Sequence, residues 1–486
     1  MKFHLIMAMV LLGLLACQTA FTEATNLDKQ QSLLELIEEI CSGCNDPSLP
    51  GGHAVAVIKD GRIIFKKAYG YSSQELMVPF TNSTVFDFAS VAKQFAGMAI
   101  AMLVQEGKLS LDENIRTYFP EIPDYGQPIT VRHLLHHTSG IRDWYGLVKI
   151  SGHSLETKIT GDFIYQLATS QEQLNFPPGE EFSYSNTNYF LLAQIVEKVT
   201  RKSFPKWMKE NIFDPLHMDN TRFEENNGGI IPNLASSYAR VNGEYHRSVS
   251  NLISNGSSSL YSTLDDMAKW MLNFEEGTVG GEQVFAMMRQ TAVLNNGKES
   301  NYGFGLDIGS WRGLNYYGHG GQWSGYICST YFFPEQRFGL IFMANRSYFP
   351  CIVDSRVTEA VLGHLVTNTV SKNNRQTKQR PGQTPKEPEK MHSKPLSDFE
   401  LHPLAGVYSC DELKTEYRLE VRDGKLVCRH FYNEDVYLAQ KSDNRFESDS
   451  WWFKSITIQR DPEGKVTGFL LDADGRQVRN LKFIRK

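Results

Sequence analysis

The spacing of apolar positions divides the chain into regions of predicted helix and predicted strand. Helical patterns cover residues 27–40, 90–105, 130–136, 188–198, 264–274 and 351–365, and the Ala-, Met- and Phe-rich stretch 90–105 predicts a central buried helix. Strand patterns cover 54–71, as a hairpin that turns at Asp60-Gly61, and 316–345. Because strands open and close this part of the chain, we expect an antiparallel sheet whose first and last strands meet, packed against a helical layer.

The pattern changes after about residue 370. From there to residue 397 Asn, Gln, Lys and Pro dominate and apolar residues almost vanish, which is typical of an extended or disordered linker. Short alternating strands follow from 404 to 486, with turns at Asp423-Gly424, Pro462-Glu463-Gly464 and Asp474-Gly475. They predict a small all-β domain of barrel type. We expect its aromatic residues to lie in its core: Phe431, Tyr432, Tyr437, Trp451, Trp452 and Phe453.

The N-terminus indicates export. Lys2 precedes an apolar run over residues 5–16 that is too short to span a bilayer comfortably. The segment Leu14-Leu15-Ala16-Cys17 resembles a bacterial lipobox, so two alternatives remain open: lipid anchoring through Cys17, or an ordinary cleaved signal ending near residue 20 or 24. Both place the protein in the periplasm or at the cell surface.

Length and charge complete the domain prediction. A chain of 486 residues is long enough for more than one domain, and a formal net charge of -5 gives no electrostatic reason to expect nucleic acid as a partner. The expected division is a signal over 1–25, a first domain over 27–367, a linker over 368–397 and an all-β domain over 398–486.

Export gives the cysteines a structural meaning. Apart from Cys17, six remain, at positions 41, 44, 328, 351, 410 and 428. An even number permits disulfides, and pairing between neighbours along the chain is the simplest expectation. Cys41-Ser42-Gly43-Cys44 also fits a redox motif or half a zinc site. No second CxxC completes a zinc site and no thioredoxin-like pattern surrounds this one, so a structural role is favoured.

The most informative chemical motif is Ser90-Val91-Ala92-Lys93, at the start of the predicted central helix. A spacing of three places the amine beside the hydroxyl on one helix face. A serine hydroxyl becomes a good nucleophile when a base takes its proton, and lysine can be that base if burial and the positive end of a helix lower its pKa from about 10.4. The motif recurs at Ser203-Phe204-Pro205-Lys206, where a serine N-cap and an early proline favour a structural role.

The second motif is Tyr184-Ser185-Asn186, which precedes a predicted helix. Near a lysine ammonium the pKa of the Tyr184 phenol is expected to fall from about 10. Tyr184 would then shuttle protons between the nucleophile, water and the leaving group. Asn186 can donate to a substrate carbonyl or orient Lys93.

The third motif, His319-Gly320-Gly321, lies where the last predicted strands begin. Its glycines allow a substrate to approach the edge of the strand and pair with the backbone. The backbone N–H of Gln322, which follows, is expected to join that of Ser90 as an oxyanion hole. His319 would line the same cleft.

Together, the order and separations of these motifs resemble the serine β-lactamase and penicillin-binding protein superfamily over roughly residues 27–367. The segment 134–141, Leu-Leu-His-His-Thr-Ser-Gly-Ile, is similar to a structural signature of its class C-like members. The resemblance implies an α/β (α+β) fold, with an antiparallel sheet packed against helices and an all-helical subdomain, followed here by the small β domain. Where β-lactamases usually have Lys-Thr-Gly, this chain has His319-Gly320-Gly321, similar to the branch of D-aminopeptidases, D,D-carboxypeptidases and carboxylesterases.

The resemblance also implies a function. An exported serine hydrolase would form an acyl-enzyme on Ser90, with Lys93 and Tyr184 as the proton-transfer groups and no metal or cofactor. The residues expected to bind substrate are Asn186, His319, Gly320, Gly321 and Gln322. The substrate would be an ester, a D-amino-acid peptide or amide, or a β-lactam, with peptidoglycan as a further candidate partner. The alternative is a catalytically inactive binder or sensor of peptidoglycan or peptide that uses the same cleft.

Two expectations concern the walls of that cleft. Trp144, Tyr145 and Trp323 lie next to motif segments, and they either form the cleft wall or pack inside the domain. His319 is charged only near or below about pH 6.5 if its pKa is unperturbed. Recognition of an anionic group should then be weak at neutral pH, which favours neutral esters or amides over cephalosporins.

Overall fold

The computed structural model describes residues 30–226, 228–349, 352–366, 398–474 and 477–486. The predicted export signal with Cys17, the predicted linker over 368–397 and Cys351 lie outside the described residues, so what the sequence predicts for them stays a prediction.

A seven-stranded sheet is the frame of the first part of the chain. Strands β1 to β12 cover, in chain order, Gly52–Lys59, Arg62–Ser73, Val78–Pro79, Phe86–Asp87, Arg222–Phe223, Ser237–Val241, Glu244–Ser248, Leu260–Ser262, Asp307–Trp311, Leu314–Trp323, Tyr326–Phe333 and Phe338–Ala344. The main sheet has the order β3-β2-β1-β12-β11-β10-β9, and adjacent strands in this order pair antiparallel. The first long strand therefore lies beside the last, with Val55 opposite Phe342, as the sequence predicts.

Helices cover both faces of this sheet. Helices α1 to α10 cover 30–42, Ala92–Gln105, Val131–Leu135, Trp144–Ile150, Gly161–Thr169, Asn186–Thr200, Phe204–Met208, Leu264–Glu276, Gly281–Met288 and Val353–Leu362. Side chains alternate between the two faces of a strand, and β1 is buried along both. Val55 and Val57 pack with α1 and α10, whereas Ala54 and Ala56 join the cluster that contains α2.

The sheet and helices have the predicted arrangement. Between β4 and β5 the named elements are all helical, and they form the helical subdomain. Helix α2 is buried along most of its length, from Ala92 to Ala101, so it is the central helix that its composition indicates. The mixed α/β fold class is thus confirmed. Within the described residues, no helix is both long enough and apolar enough to cross a membrane.

The C-terminal part is a closed barrel of eight strands. After a short helix, α11 (Asp398–Leu401), strands β13 to β20 cover Gly406–Cys410, Thr415–Arg422, Lys425–Arg429, Val436–Gln440, Arg445–Glu447, Ser455–Arg460, Val466–Asp472 and Leu481–Arg485. The barrel closes where β20 pairs with β13, with Arg485 opposite Tyr408. The predicted barrel-type fold is confirmed.

The prediction that the barrel's aromatic residues fill its core is only partly right. Trp452 and Phe453 are buried. Phe431 and Tyr432 are 89% and 76% exposed because they lie in the loop between β15 and β16. Tyr437 is exposed because Val436 and Leu438, its neighbours in β16, point into the barrel instead.

The simplest disulfide pairing is wrong. Cys41, Cys328, Cys410 and Cys428 are free thiols. Cys44 does form a disulfide, but with none of these four. Cys410 lies on β13 and Cys428 on β15, with β14 between them. Strands two positions apart are separated by about 9–10 Å, beyond the reach of a disulfide. Burial raises the pKa of the Cys41 thiol to about 12.

Candidate active site

Ser90 stands on a tight turn at the start of the central helix. Residues Ala89–Val91 form one turn of 3-10 helix that leads into α2. Ala89 has φ +45°, which is uncommon for a residue other than glycine, and its N–H donates to Oδ1 of the buried Asp87 at 2.8 Å. Ala89 and Val91 are buried, whereas Ser90 between them is partly exposed.

The Lys93 amine lies directly behind this hydroxyl. Its Nζ donates to Ser90 Oγ at 3.1 Å, to the Ser257 carbonyl at 2.7 Å and to Asn186 Oδ1 at 2.9 Å. Lys93 is fully buried, and burial lowers its pKa from 10.5 to about 7 although two nearby carboxylates act in the opposite sense. A large fraction of Lys93 is therefore neutral at pH 7 and able to accept a proton from Ser90.

Tyr184 lies beside the same lysine. Its ring centroid is 4.8 Å from Lys93 Nζ, and the Ser90 side chain is among the groups that act on the pKa of its phenol. The expected lowering of its pKa is wrong: desolvation, with smaller contributions from Asp307 and Asp143, raises the pKa well above 10. Because burial also neutralises Lys93, the positive charge that was to lower the phenol pKa is weakened. Tyr184 is thus a proton donor at neutral pH.

The segment 134–141 holds Tyr184 in place. The N–H of Ser183 donates to the His137 carbonyl at 2.9 Å, and the N–H of Ser185 donates to His137 Nδ1 at 3.1 Å. The His137 ring also packs on the Tyr184 ring, with centroids 4.4 Å apart. His137 has φ +56° and is fully buried, and burial lowers its pKa well below 6.5. The signature-like segment therefore acts as a support for the second motif.

Asn186 links Lys93 to a carboxylate that the sequence analysis missed. Its Oδ1 accepts from Lys93, and its Nδ2 donates to Asp143 Oδ2 at 2.9 Å. Of the two roles predicted for Asn186, this geometry supports orientation of Lys93. Asp143 is buried, which raises its pKa to about 6, and its Oδ1 accepts from the N–H of Tyr145 at the start of α4. Its signal in the sequence is its position as helix N-cap directly before Trp144.

The glycines of the third motif lie against the Ser90 turn. A Cβ atom on Gly321 would stand 2.5 Å from the Phe88 carbonyl oxygen and 3.3 Å from the Ser90 nitrogen, so only glycine allows β10 to approach so closely. Gly320 is partly buried beside it, and Gln322 is exposed on the same strand. An oxyanion hole formed by the N–H groups of Ser90 and Gln322 fits this approach and stays a prediction.

His319, the first residue of the third motif, is a neutral and buried side chain of β10. Its Nε2 pairs with Tyr302 Oη at 2.9 Å, and its Nδ1 pairs with the Gly320 carbonyl. These partners fit a neutral ring that donates from Nδ1 and accepts at Nε2. Burial, followed by the nearby Lys93, lowers its pKa below 6.5 although Asp307 opposes them. His319 therefore carries no fixed charge, and Tyr302 is a second contributor that the motifs did not reveal.

Aromatic rings from both parts of the chain pack together next to the first helix turn after Asp143. Trp144 is 2% exposed and fits the packing role, whereas Tyr145 and Trp323 are partly exposed. The centroids of Tyr145 and Trp323 are 6.0 Å apart. Trp451 of the barrel stacks on Tyr145, with ring centroids 4.9 Å apart, so the barrel contributes to this aromatic cluster.

Comparisons with known proteins identify the family of this chain. A family model described as Beta-lactamase matches residues 48–361, more than half of the chain. The D-aminopeptidase of Gluconobacter oxydans is 26% identical over 316 residues, which are 65% of this chain and 59% of that protein, so the match spans about three fifths of its length. Protein flp of Staphylococcus aureus is 27% identical over 360 residues, 71% of this chain and 68% of the other.

Solved structures share the fold. The octameric penicillin-binding protein homologue from Pyrococcus abyssi has 22% identity and a TM-score of 0.58, over 94% of this chain and 97% of that one. The resemblance seen in the motifs is thereby confirmed, because the matched range contains all three of them. The chain belongs to the beta-lactamase family, a family of serine hydrolases.

Proposed function

We propose that the protein is an exported serine hydrolase that forms an acyl-enzyme on Ser90. The observation that carries this proposal is a buried lysine amine, 3.1 Å from the Ser90 hydroxyl, whose pKa is lowered to about 7. A buried amine whose lone pair is available beside a hydroxyl is what general-base activation of a serine requires, and simple binding does not require it. The predicted signal segment supports export, either with a cleaved signal or with lipid anchoring through Cys17.

Acylation begins with the neutral amine. Lys93 accepts the hydroxyl proton as Ser90 Oγ bonds to the carbonyl carbon, and the carbonyl electrons move to the oxygen, which faces the N–H groups of Ser90 and Gln322. When the intermediate collapses, the bond to the leaving group breaks, and the leaving group takes the phenol proton of Tyr184. The Lys93 ammonium resupplies that proton and becomes neutral again.

Deacylation reverses the direction of proton flow. Water attacks the ester carbonyl while its proton passes through Tyr184 to Lys93, and the proton then returns to Ser90 Oγ as the acyl group leaves. The raised pKa of Tyr184 fits this relay, since the phenol keeps its proton until it can pass it on. No step requires a metal or a cofactor.

The substrate class follows from the third motif. His319 is neutral and bonded at both ring nitrogens, so this wall offers no fixed positive charge to a substrate carboxylate. We therefore propose a neutral ester or amide, including amides and peptides of D-amino acids. The similarity to a D-aminopeptidase supports the second group.

The first experiment asks whether Ser90 reacts. A fluorophosphonate probe should label the wild-type protein and fail to label Ser90→Ala, whereas Ser203→Ala, which alters the second S-x-x-K, should label like wild type. Absence of labelling in the wild type would favour the inactive binder. Labelling that survives in Ser90→Ala would point to a different nucleophile.

The second experiment compares substrates in parallel: a p-nitrophenyl ester, a D-amino-acid anilide and a chromogenic cephalosporin. We expect kcat/KM to be at least about tenfold higher for one of the neutral substrates than for the cephalosporin, because the wall lacks a cationic partner for its carboxylate. An efficiency near 10⁶ M⁻¹s⁻¹ on the cephalosporin, well inside the usual enzyme range of about 10⁴–10⁸ M⁻¹s⁻¹, would make the protein a β-lactamase and overturn the substrate proposal.

A further inference from the structure

Two neighbouring residues point in opposite directions at the boundary between the barrel and the active site. Asp143 points to Asn186 and so to Lys93. Arg142 points to the turn between β13 and β14 of the barrel, where its Nη1 donates to Glu412 Oε2 at 2.7 Å. The side chains of this ion pair are 0% and 7% exposed. A buried pair of opposite charges of this kind is strongly disrupted when one partner is removed, because the other is left as an unpaired charge.

The rest of the Arg142 guanidinium also binds mainly to the barrel. Its Nη2 donates to the Arg479 carbonyl at 2.9 Å and to the Asn480 carbonyl at 3.3 Å, while Nη1 reaches Gln171 Oε1 at 3.0 Å. The planar fork of arginine donors suits such a set of fixed acceptors. Four residues thus converge on a single side chain, and three of them belong to the C-terminal part of the chain.

The backbone on either side is held as well. The N–H of Asp143 donates to the Gln477 carbonyl of the barrel at 3.0 Å. Thr187, which follows Asn186 on α6, donates from its hydroxyl to the Arg142 carbonyl at 2.9 Å and accepts from the N–H of Trp144 at 2.8 Å. Residues 142–144, here called the clamp segment, are therefore fixed between the barrel and the start of α6.

We propose that the barrel is a positioning element of the active site. Its Glu412 side chain and Gln477 carbonyl fix the clamp segment, so that Asp143 holds Asn186 and Asn186 holds the Lys93 amine against Ser90. This inference rests on the proposed function of Lys93. Glu412 touches neither substrate nor the reacting atoms, and it acts through Arg142 and Asp143.

Kinetics should separate this role from a merely structural one. We expect Glu412→Gln in the full chain to lower kcat about tenfold to a hundredfold with little change in KM, because a small displacement of a catalytic group costs rate rather than binding. The matched control is Glu434→Gln. Glu434 crosses the same boundary to Lys149 at 3.0 Å, but it is 62% exposed, whereas Glu412 is 7% exposed. This control should stay within about twofold of wild type.

A double-mutant cycle tests the route of the effect. If Glu412 acts through Asp143, adding Glu412→Gln to Asp143→Ala should change kcat by less than about twofold, far less than it does in wild type. Full additivity would overturn the proposal, and so would a Glu412→Gln protein with wild-type kcat. If Glu412→Gln does not fold, Glu412→Asp, which keeps the charge and shortens the side chain, enters the same cycle.

A pH profile gives an independent readout. The Asp143 carboxylate raises the pKa of Lys93, against the larger effect of burial. The acidic limb of kcat/KM should therefore move to lower pH in Asp143→Asn and stay in place in Glu434→Gln. The other ionisable groups around the Lys93 amine are unchanged in both variants: Asp307, His137, His319 and Tyr184. An unmoved limb in Asp143→Asn would contradict the link between Asp143 and Lys93.

Failure of this inference is distinguishable from failure of the proposed function. If the wild type neither labels nor turns over any substrate, the proposed function is wrong. If the wild type is active and Glu412→Gln matches it, only the positioning role of the barrel is wrong. A thermal unfolding scan of each variant shows whether a lost rate reflects lost structure.

Discussion

The chain contains the motif Ser-x-x-Lys twice, at Ser90 and at Ser203, and only the first copy is part of the candidate active site. At Ser90 the lysine is fully buried, its amine contacts the serine hydroxyl, and its pKa is lowered to about 7. At Ser203 both Ser203 and Lys206 are exposed at the start of the short helix α7. The comparison shows that burial and neighbouring groups, rather than the spacing, make the lysine a base.

The surroundings of the two serines differ in a second way. Ser90 follows a left-handed Ala89 whose N–H is held by the buried Asp87. Ser203 occupies the N-cap position before a helix with proline in its first turn, as predicted, although its side chain makes no capping hydrogen bond. The turn at Ser90 leaves the serine side chain partly exposed beside Lys93, whereas Ser203 begins a helix at the surface.

The largest expected effect is on the nucleophile. Ser90→Ala should abolish turnover and keep the fold, since it removes one oxygen from a partly exposed position. Ser203→Ala should leave turnover within about twofold of wild type, because a surface substitution of this kind disturbs little. Steady-state assays of both variants provide the measurement. Residual activity of Ser90→Ala above about one hundredth of wild type would show that another group attacks the substrate.

The next effect concerns the proton relay. Lys93→Ala and Tyr184→Phe should each lower kcat about 10²–10⁴-fold, the usual range for general acid–base groups. Their effects should not add in the double variant, because both belong to one relay. Lys206→Ala, the matching change in the second copy, should be silent. A silent Lys93→Ala or a silent Tyr184→Phe would disprove the relay.

The smallest expected effect comes from Asp87, which holds the turn that contains Ser90. Burial raises the pKa of Asp87 from 3.8 to about 7, and its Oδ2 has no hydrogen-bond partner among the described residues. Ionisation of Asp87 is thus penalised in the folded state, so its contribution to stability is full below about pH 4 and is lost as pH rises towards about 7. The same position before Ser203 is Thr200, which carries no charge.

Asp87→Asn removes this titration. The free energy of unfolding of the variant should therefore rise relative to wild type between about pH 4 and pH 7, as measured by urea denaturation at several pH values. Thr200→Val is the control and should show a constant difference across that range. A constant difference for Asp87→Asn as well would mean that Asp87 does not titrate there.

Much of the frame was predictable because its signals are local. The hairpin at 54–71 appears as β1 and β2, and the helix at 188–198 appears as α6, which begins at Asn186. Helix α4 was missed because its seven residues make only about two turns, too few for a helical period to stand out, although Trp144, Leu147 and Val148 share one face. The short strands β4, β5 and β8 were missed because two or three residues are too few to show an alternating pattern.

Within the site, only the residues that belong to sequence motifs were predictable. Ser90, Lys93 and Tyr184 are brought together as their motifs suggested. The Ser257 carbonyl that binds Lys93 lies 164 residues away along the chain, and a main-chain oxygen has no sequence signature. The direction of the Tyr184 pKa shift was wrong because it depends on the balance between burial and charge, which only the folded structure sets.

The central claim is that Lys93 acts on Ser90 as a neutral base, and the pH dependence of Ser90 acylation tests it most directly. The rate of fluorophosphonate labelling should rise with pH through about 7, where the amine loses its proton, and mass spectrometry should locate the adduct on Ser90 and none on Ser203. In Lys93→Ala the rise should disappear together with most of the rate. A rate that is independent of pH between 5 and 9, or an adduct on another residue, would contradict the account.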